Sequence, residues 1–530
     1  MGGLASHGAA IISEAADHGI HIALEGLDKL VYTTSPAQEW LGEKIKRNKD
    51  AVLASMNGDD QEVPEKPTIA CWLAFPENHT DNGIAWKFAD KYHSQIRYVP
   101  KWNKWLVWDG RRWKQDDQDK HVTILARKFV DELWQQFSVL AQTLDRSEIG
   151  RIQTFVRRSN QQKNIAAMLM LTSADERVVC HHDCLNTDPF LLNVQNGTVE
   201  LRTGKLREHR PEDFITQLAN VDYDESAGCS EWLAMLRLVF DGDDELLRFV
   251  QQVLGYSITG DTGEHILPIA WGDGFNGKST VWNAIIELMG DYGIVAMDSL
   301  LMGSQNEHAT EKAHLYQKRI VAVSEPEQGC KLKESRVKEL TGDTFITARR
   351  MREDPWTFKR THTFWLATNH LPKVSGLDEG IWRRIKLIPF NVNLRDKVEP
   401  IPDFHLRLIE REGAGILRWL VQGYADYQAN GFVVPDCVHQ CNAEYRGDED
   451  HLGQFIAECC VTKDGIMSPA KALFDAYQTW AGKLAWSRTA FGKALGERFD
   501  KDRPDAGAFR KQTIYHGIGL LIDTYSDHEP

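Results

Sequence analysis

The chain has 530 residues, which is enough for roughly three to four domains of typical size. Hydrophobic residues make up 42% and charged residues 26% of it, as in globular proteins that fold in water. No apolar run approaches the ~20 residues that a membrane-spanning helix needs, and the first ten residues, MGGLASHGAA, lack the basic and apolar regions of a secretion signal. Composition therefore argues against a membrane protein and predicts a cytoplasmic one.

The formal net charge of −14 excludes a protein whose whole surface is basic. It does not exclude nucleic-acid binding, because an acidic protein can still hold a strand in a local basic channel. Nine cysteines in a chain of this length do not indicate a disulfide framework. The clusters at residues 180–184 and 437–441 lack the usual spacing of zinc ligands, so ordinary thiols are the favoured interpretation.

The first predicted module occupies residues 1–60, and a turn-rich polar stretch at 57–64 follows it as a candidate linker. Its predicted elements are a helix at Ala9–His18, a strand pair at Ile20–Leu24 and Lys29–Thr33, and helical sequence from Pro36 to Met56.

Residues 65–225 form a mixed α/β pattern in which four tryptophans crowd together at positions 102, 105, 108 and 113. A turn at Asp109-Gly110 predicts a β-hairpin with aromatic packing across its strands. The alternative is base stacking by these rings beside Arg111 and Arg112, and the packing interpretation is favoured.

Residues 226–400 alternate apolar strands with helical patterns, which predicts a largely parallel sheet. A helical connector is predicted at 401–444. Residues 445–530 then show helical patterns followed by an alternating, strand-like segment, which suggests a winged helix: His451–Cys460, Ser468–Lys483, Ser487–Phe499 and finally Lys511–Ile522. The predicted fold class is therefore α/β and multidomain.

The strongest motif is GDGFNGKST at residues 272–280, which matches the phosphate-binding pattern G-x-x-x-x-G-K-[ST] in full. An apolar run precedes it and a helical pattern follows it, so a chance glycine-rich turn is the weaker interpretation. Glycines let the backbone N–H groups face phosphate oxygens, and the helix N-terminus adds partial positive charge. The predicted nucleotide-binding residues are Gly272, Asp273, Gly274, Phe275, Asn276, Gly277, Lys278, Ser279 and Thr280.

Within this loop, Lys278 is predicted to neutralise the β- and γ-phosphates of ATP, and Ser279 to offer its hydroxyl to Mg²⁺. A second acidic group is needed to hold the metal. The apolar strand KRIVAVSE ends in Glu325, and Glu327 follows two residues later. Carboxyl ends of parallel strands meet the ligand, so Glu325 is assigned to Mg²⁺ and water. The choice of catalytic base between the two glutamates stays open.

Two further segments complete the predicted catalytic group. Asn369 ends the strand TFWLATN, where its neutral amide can bind the γ-phosphate or the attacking water. Arg383 and Arg384 follow, and one of them is expected to supply a cation to the nucleotide of a neighbouring subunit. The alternative for the arginines is an ordinary surface ion pair.

A basic segment lies between the acidic strand and the Asn369 strand. Its sequence predicts a turn at Gly342-Asp343, a strand at Phe345–Ala348, and a hairpin that ends near Trp356–Phe358. Basic residues at a hairpin tip suit phosphate contacts. The predicted DNA-binding residues are Lys338, Arg349, Arg350 and Arg352.

The order of these motifs resembles that of the superfamily 3 helicases, and most closely the phage/plasmid primase–helicase family with its poxvirus nucleoside-triphosphatase relatives. The segments that carry the resemblance are the phosphate-binding loop, the Ser-Glu strand, KELTGD with TARR, LATNHLP, and DEGIWRRIKLIPF. The resemblance extends over roughly residues 90–525. Its further segments are RYVP, WDGRRW and LLNVQNGT upstream, and FGKAL with YHGI downstream.

The resemblance implies an AAA+-type ATPase that uses ATP and Mg²⁺, forms a hexameric ring, and translocates 3′→5′ on single-stranded or forked DNA. It implies replication of phage, prophage or plasmid DNA in the cytoplasm of a bacterial host. In the family pattern, Glu325 is the acidic-strand carboxylate, Asn369 the polar sensor, and Arg383 or Arg384 the finger.

One departure from the family pattern is large. Only about 90 residues precede the resemblance, which is short for the primase–polymerase domain of many relatives, so priming is not expected. The first module instead weakly resembles small docking domains, which suggests a protein partner. Two other functions stay open: a DNA-stimulated ATPase that acts as loader or switch, and a non-catalytic origin-binding scaffold whose recognition helix carries Arg488, Lys493 and Arg498.

Overall fold

The structure is a computed structural model, in which two compact units divide the chain: Met1–Trp105 with Asp116–Val179, and Leu106–Gln115 with Cys180–Pro530. The predicted segment at 65–225 is therefore shared between the units. The structure describes residues 11–15, 20, 22–24, 30–32, 39–47, 49, 52–53, 69–302, 310–323, 325–351, 354–374, 379–395, 397–482, 485–506 and 509–521. Within these ranges, no helix is long and apolar enough to cross a membrane.

The N-terminal part of the first unit follows the predicted order of elements. Residues 11–15 are helical, strand β1 (Ala23–Leu24) pairs antiparallel with β2 (Leu30–Val31), and helix α1 spans Glu39–Arg47. The apolar side chains Ile11, Ile20, Leu41, Ile45 and Val52 form one small buried cluster. Burial of these apolar side chains against one another explains why this short segment folds on itself. The predicted linker at 57–64 lies outside the described residues.

The rest of the first unit is mainly helical. Its long helices pack their apolar faces around a core that includes Phe88, Phe129 and Met168. The helix that starts after Asp145 has a capping box, in which Asp145 and Glu148 exchange side chain-to-backbone hydrogen bonds. The elements are α2 (Ile69–Ala74), α3 (Asp81–Tyr92), strand β3 (Ile96–Val99), α4 (Lys120–Leu140), α5 (Arg146–Ser159) and α6 (Gln162–Thr172).

The predicted tryptophan hairpin lies largely in the second unit, which takes in Leu106–Gln115, whereas Trp102 and Trp105 belong to the first unit. Strand β4 (Lys104–Trp108) pairs antiparallel with β5 (Trp113–Gln115), and Trp108 lies opposite Trp113. The two ring centroids are 5.7 Å apart, and Trp113 is fully buried. The favoured interpretation, aromatic packing across the strands, is confirmed for this pair. Three antiparallel strands and two helices follow: β6 (Leu191–Val194), β7 (Gly197–Glu200), β8 (Lys205–Arg207), α7 (Ser230–Val239) and α8 (Asp244–Ser257).

A parallel five-stranded sheet forms the centre of the second unit, as the sequence predicts. Four of its strands are buried at almost every position, as in parallel sheets that helices cover on both faces, whereas the edge strand Gly293–Ala296 is buried only at Gly293. The elements of this region are β9 (Leu267–Trp271), α9 (Lys278–Met289), β10 (Gly293–Ala296), β11 (Ile320–Val323), α10 (Glu334–Gly342), β12 (Phe345–Ala348), β13 (Trp356–Lys359), β14 (Thr363–Thr368), α11 (Glu379–Trp382) and β15 (Ile385–Pro389).

The strand order in this sheet is β10-β11-β14-β9-β15. The strand before the phosphate-binding motif, β9, is therefore central, and the strand that ends before Glu325, β11, is not its hydrogen-bonded neighbour. Strand β14 lies between them and pairs in parallel with both. Strands β12 and β13 form a separate antiparallel hairpin, which confirms the prediction for this segment.

Helices and a small sheet complete the chain. The sheet has three antiparallel strands in the order β16-β18-β17. The predicted helix start at Ser468 is wrong, because strand β16 continues through Pro469 and pairs Ser468 with Tyr515. The elements are α12 (Phe404–Asn430), α13 (Asp436–Glu449), α14 (His451–Cys459), β16 (Cys460–Pro469), α15 (Ala470–Ala481), α16 (Arg488–Gly496), β17 (Lys501–Asp502) and β18 (Ile514–Leu520).

Candidate nucleotide site and nucleic-acid interface

The loop from Gly272 to Gly277 connects strand β9 to the N-terminus of helix α9. A Cβ at Gly272 would lie 2.2 Å from the carbonyl oxygen of Phe390, so the loop touches the chain after β15 too closely for a side chain. Gly277 has a φ of +84°, a left-handed conformation that favours glycine. Gly274 has open space around its Cβ position, so the turn does not require glycine there. Phe275 instead adopts the left-handed conformation, with φ 63°.

Asn276 and Lys278 shape the interior of this loop. The Asn276 amide Nδ2 donates to the Phe390 carbonyl (2.9 Å). Its Oδ1 accepts a hydrogen bond from Lys278 Nζ (3.2 Å). The same ammonium donates to the carbonyl oxygen of Gly272 (2.5 Å). Burial lowers the pKa of Lys278, while the charges of Glu325 and Asp273 act in the opposite direction. The cation is thus held inside the loop by oxygens of Gly272 and Asn276.

Three predicted site residues form one chain of hydrogen bonds across the carboxyl edge of the sheet. Lys278 Nζ donates to Asn369 Oδ1 (2.9 Å), and the backbone N–H of Asn369 donates to Glu325 Oε1 (2.9 Å). Because β14 lies between β9 and β11, Asn369, which follows β14, bridges Lys278 and Glu325. Glu325 therefore follows a strand that is not adjacent to β9, the strand before the loop Gly272–Gly277.

The oxygen atoms near this chain fit the ligand preference of Mg²⁺. Ser279 is the second residue of α9 and is exposed, and the Glu325 carboxylate is exposed at the same edge of the sheet. Hydroxyl and carboxylate oxygens are the groups that bind this hard cation in proteins. Glu327 is also exposed, but within the described residues its carboxylate makes no hydrogen bond to Lys278 or Asn369. Ser324 lies outside the described residues.

The two candidate finger arginines have opposite environments. Arg384 is buried, and its Nε donates to Thr341 Oγ1 (3.1 Å) while Nη1 donates to the Gly380 carbonyl. Its guanidinium also fills the space next to Gly342, where a Cβ would lie 2.7 Å from Nη2. Arg383 is exposed to solvent. Of these two arginines, only Arg383 therefore presents its charge to solvent.

The β12–β13 hairpin presents two different faces. Ile346 and Ala348 are buried against Trp356 and Phe358, whereas Phe345 is 61% exposed. Arg349 is exposed, and the Arg350 guanidinium carbon lies 5.5 Å from the ring centre of Trp356. Lys338 is half-buried on α10. Arg352 lies outside the described residues.

Sequence reasoning missed the segment that follows β15. The N–H of Leu394 donates to the carbonyl of Phe275 (2.7 Å), and the Arg395 guanidinium carbon lies 4.2 Å from the centre of the Phe275 ring. With Phe390, these residues form one wall along the loop Gly272–Gly277. The sequence motifs end at Phe390 and give no signal for Leu394 or Arg395, because their position depends on β15 pairing with β9.

Comparison with known proteins gives two family matches. They cover much of the predicted segments 65–225 and 226–400. Residues 85–241 match the family described as D5 N terminal like, and residues 270–384 match a family of unknown function, DUF5906. Among solved structures, the apo C-terminal region (305–718) of NrS-1 aligns with a TM-score of 0.42 and 12% identity, over 80% of this chain and 96% of that one.

The relatives with curated names come from viruses. "Putative helicase L207/L206" of Acanthamoeba polyphaga mimivirus is 25% identical over 319 residues, which is 56% of this chain and 33% of that protein. "Putative primase C962R" of African swine fever virus is 26% identical over 214 residues, 38% of this chain and 22% of that protein. The chain thus spans a third or less of these relatives. It combines a D5 N-terminal-like segment with a DUF5906 segment and is homologous to viral proteins named as helicases and primases.

Proposed function

We propose that this protein is an ATP-dependent DNA helicase of the superfamily 3 type, acting in the replication of phage, prophage or plasmid DNA. The observation that carries the proposal is the hydrogen-bonded chain from Lys278 through Asn369 to Glu325. It joins a lysine, an amide and a carboxylate at the carboxyl ends of three parallel strands, where α/β sheets bind ligands. The homology to proteins named as helicases supports the same proposal.

The proposed chemistry is hydrolysis of ATP with Mg²⁺, which would neutralise charge on the β- and γ-phosphates. Backbone N–H groups of residues 272–280 and the Lys278 ammonium bind the phosphates. Ser279 and Glu325 hold the metal, and Glu325 accepts the proton of the attacking water. Asn369 orients this water through its amide. The parallel sheet supports the AAA+-type core that the resemblance implies.

The proposed DNA contacts lie on the β12–β13 hairpin and on Lys338. Arg349 and Arg350 supply positive charge for phosphates, and the exposed ring of Phe345 suits stacking with an unpaired base. A hexameric ring would place one such hairpin from each subunit around a central strand. The proposal also predicts movement in the 3′→5′ direction, a docking partner for residues 1–60, and a location in the cytoplasm of a bacterial host.

The two arginines after α11 provide a prediction about assembly. We expect Arg383→Ala to lower ATP hydrolysis on the order of 10³-fold, as for removal of an arginine finger, while the melting temperature and nucleotide affinity stay at wild-type values. Arg384→Ala, the matched change one residue away, should instead lower the melting temperature, because it removes a buried cation that is bonded to Thr341 and Gly380.

Mixing experiments check this assignment. Adding Arg383→Ala subunits to Lys278→Ala subunits, each inactive alone, should restore partial hydrolysis if Arg383 acts across a subunit interface. If Arg383→Ala alone hydrolyses ATP at the wild-type rate, Arg383 is not part of the active site.

The test of the proposed function is strand displacement by the full chain with ATP and Mg²⁺ on duplexes that carry a 3′ or a 5′ single-stranded tail. We expect displacement of the 3′-tailed duplex, and none with a non-hydrolysable ATP analogue. Hydrolysis that is stimulated by single-stranded DNA without any displacement would overturn the helicase proposal in favour of a loader or switch. DNA binding without hydrolysis would favour the origin-binding scaffold.

A further inference from the structure

Phe275, in the middle of the loop Gly272–Gly277, has both an unusual backbone conformation and an exposed ring. Its φ is 63°, in the left-handed region that is unfavourable for a bulky residue. Its side chain is 60% exposed, although an aromatic ring gains much free energy from burial. Residues held in such conformations cluster at sites that hold ligands. The side chain of Phe275 is therefore a candidate for a role in the nucleotide site.

The segment that follows β15 places a cation on this ring. The guanidinium carbon of Arg395 lies 4.2 Å from the centre of the Phe275 ring, well within the ~6 Å range of a cation–π contact. The backbone is held at the same point. The Leu394 N–H donates to the Phe275 carbonyl (2.7 Å), and the Arg395 N–H donates to Asn393 Oδ1 (2.9 Å). Backbone and side-chain contacts together therefore keep the cation at the loop.

The guanidinium of Arg395 keeps its hydrogen-bond donors available in this position. Stacking uses the planar face of the group, whereas its N–H donors point outward from its edge. Arg395 is exposed, and in the part of the chain that the structure describes its guanidinium donates no hydrogen bond and forms no ion pair. Lys397, two residues further on, differs because it pairs with Asp241 (3.7 Å). Arg395 therefore presents an unpaired positive charge beside the loop.

The chemistry of the loop indicates which ligand would meet this charge. Backbone N–H groups of a glycine-rich loop and of the helix N-terminus that follows it bind phosphate oxygens. A guanidinium binds the same oxygens, often through two parallel N–H donors. Because Arg395 stacks on a residue of the loop itself, its donors lie within a side chain's length of any phosphate that the loop binds. The arrangement suits the phosphate chain of a nucleotide.

We propose that Arg395 binds the phosphate chain of the nucleotide that is held by the loop of the same chain, and that Phe275 is the positioning residue for its guanidinium. The inference rests on the proposed function, because it requires a nucleotide in the loop. It adds a second cation to the site: Lys278 is bonded to the interior of the loop, whereas Arg395 lies on its exposed side. Arg383 has a different proposed role, at the nucleotide of a neighbouring subunit.

The test is calorimetric titration of the full chain, with Mg²⁺, against ADP and against inorganic tripolyphosphate, which has neither base nor sugar. We expect Arg395→Ala to weaken the binding of both ligands by about tenfold to a hundredfold, the effect of losing a hydrogen bond to a charged group. Weaker binding of ADP with unchanged binding of tripolyphosphate would mean that Arg395 contacts the base or the sugar, and would overturn the proposal.

The positioning role of Phe275 has its own readout. Phe275→Leu removes the ring, and we expect ADP to bind about two- to fivefold more weakly, the size of an exposed cation–π contact. Phe275→Tyr keeps the ring and should bind ADP as the wild type does. In the Arg395→Ala background, Phe275→Leu should have no further effect, because it acts through the guanidinium. The same loss in both backgrounds would show that Phe275 acts independently, and would overturn its positioning role.

The matched control is Arg411→Ala, the same change at an exposed arginine on α12, which should keep wild-type affinity for both ligands. Lys278→Ala separates this inference from the proposed function. If Lys278→Ala binds ADP more weakly than the wild type but Arg395→Ala binds it equally well, only the role of Arg395 is overturned. If the wild type binds neither ligand, or Lys278→Ala binds both as the wild type does, the nucleotide site at residues 272–280 is contradicted and both proposals are overturned.

Discussion

Replacing Lys278 with alanine is expected to reduce ATP hydrolysis by on the order of 10²–10³-fold, the range seen when one stabilising donor is removed from a reacting oxyanion. The Lys278 ammonium is held by carbonyl and amide oxygens of the loop and by Asn369. Among the described residues, no other cationic side chain donates a hydrogen bond to the oxygens of this loop. Hydrolysis is measured as phosphate release with and without single-stranded DNA.

The control for this change is Lys205→Ala, an exposed lysine on β8, which should hydrolyse ATP at the wild-type rate. Because Lys278 is buried, the melting temperature of the alanine variant is measured in parallel. A folded Lys278→Ala protein with wild-type hydrolysis would contradict the nucleotide site at residues 272–280.

Replacing Glu325 with glutamine is expected to lower hydrolysis by on the order of 10²–10⁴-fold, the contribution of a general base. Glutamine retains an oxygen that can accept the hydrogen bond from the Asn369 N–H, so the loop geometry and nucleotide binding should persist. Single-turnover hydrolysis and the binding of a fluorescent ATP analogue distinguish loss of chemistry from loss of binding.

Glu327→Gln is the natural comparison, because the sequence leaves the choice between the two glutamates open. Its carboxylate is exposed and lies outside the hydrogen-bonded chain, so we expect hydrolysis within about twofold of wild type, as for surface substitutions away from a site. The reverse result, a large loss in Glu327→Gln and a small one in Glu325→Gln, would assign the base to Glu327.

Local pattern was sufficient for several features. The sequence predicts a strand at Phe345–Ala348 in a hairpin that ends near Trp356–Phe358, and the structure has that strand paired with Trp356–Lys359. The Trp108 and Trp113 pair is also local, since only a short turn separates them. In each case the interacting residues are near in sequence, so turn type and periodicity carry the information.

Long-range pairing explains what the sequence did not reveal. Strand β16 was missed because it exists only through pairing with β18, about fifty residues later. The motif does not distinguish Arg383 from Arg384. The structure does, because Thr341 and Gly380 accept hydrogen bonds from Arg384 alone. Arg395 reaches Phe275 only because β15 pairs with β9.

By itself, the sequence determined the chemical groups of the candidate site: a glycine-rich loop with Lys278, two acids after an apolar strand, and an amide after the next. The tertiary structure decided how they meet. The order β11-β14-β9 puts Asn369 between Lys278 and Glu325, and packing of Arg384 against Thr341 and Gly380 leaves Arg383 as the exposed arginine. The physical reason is that strand order and helix packing depend on contacts between residues far apart in the chain, which no local pattern encodes.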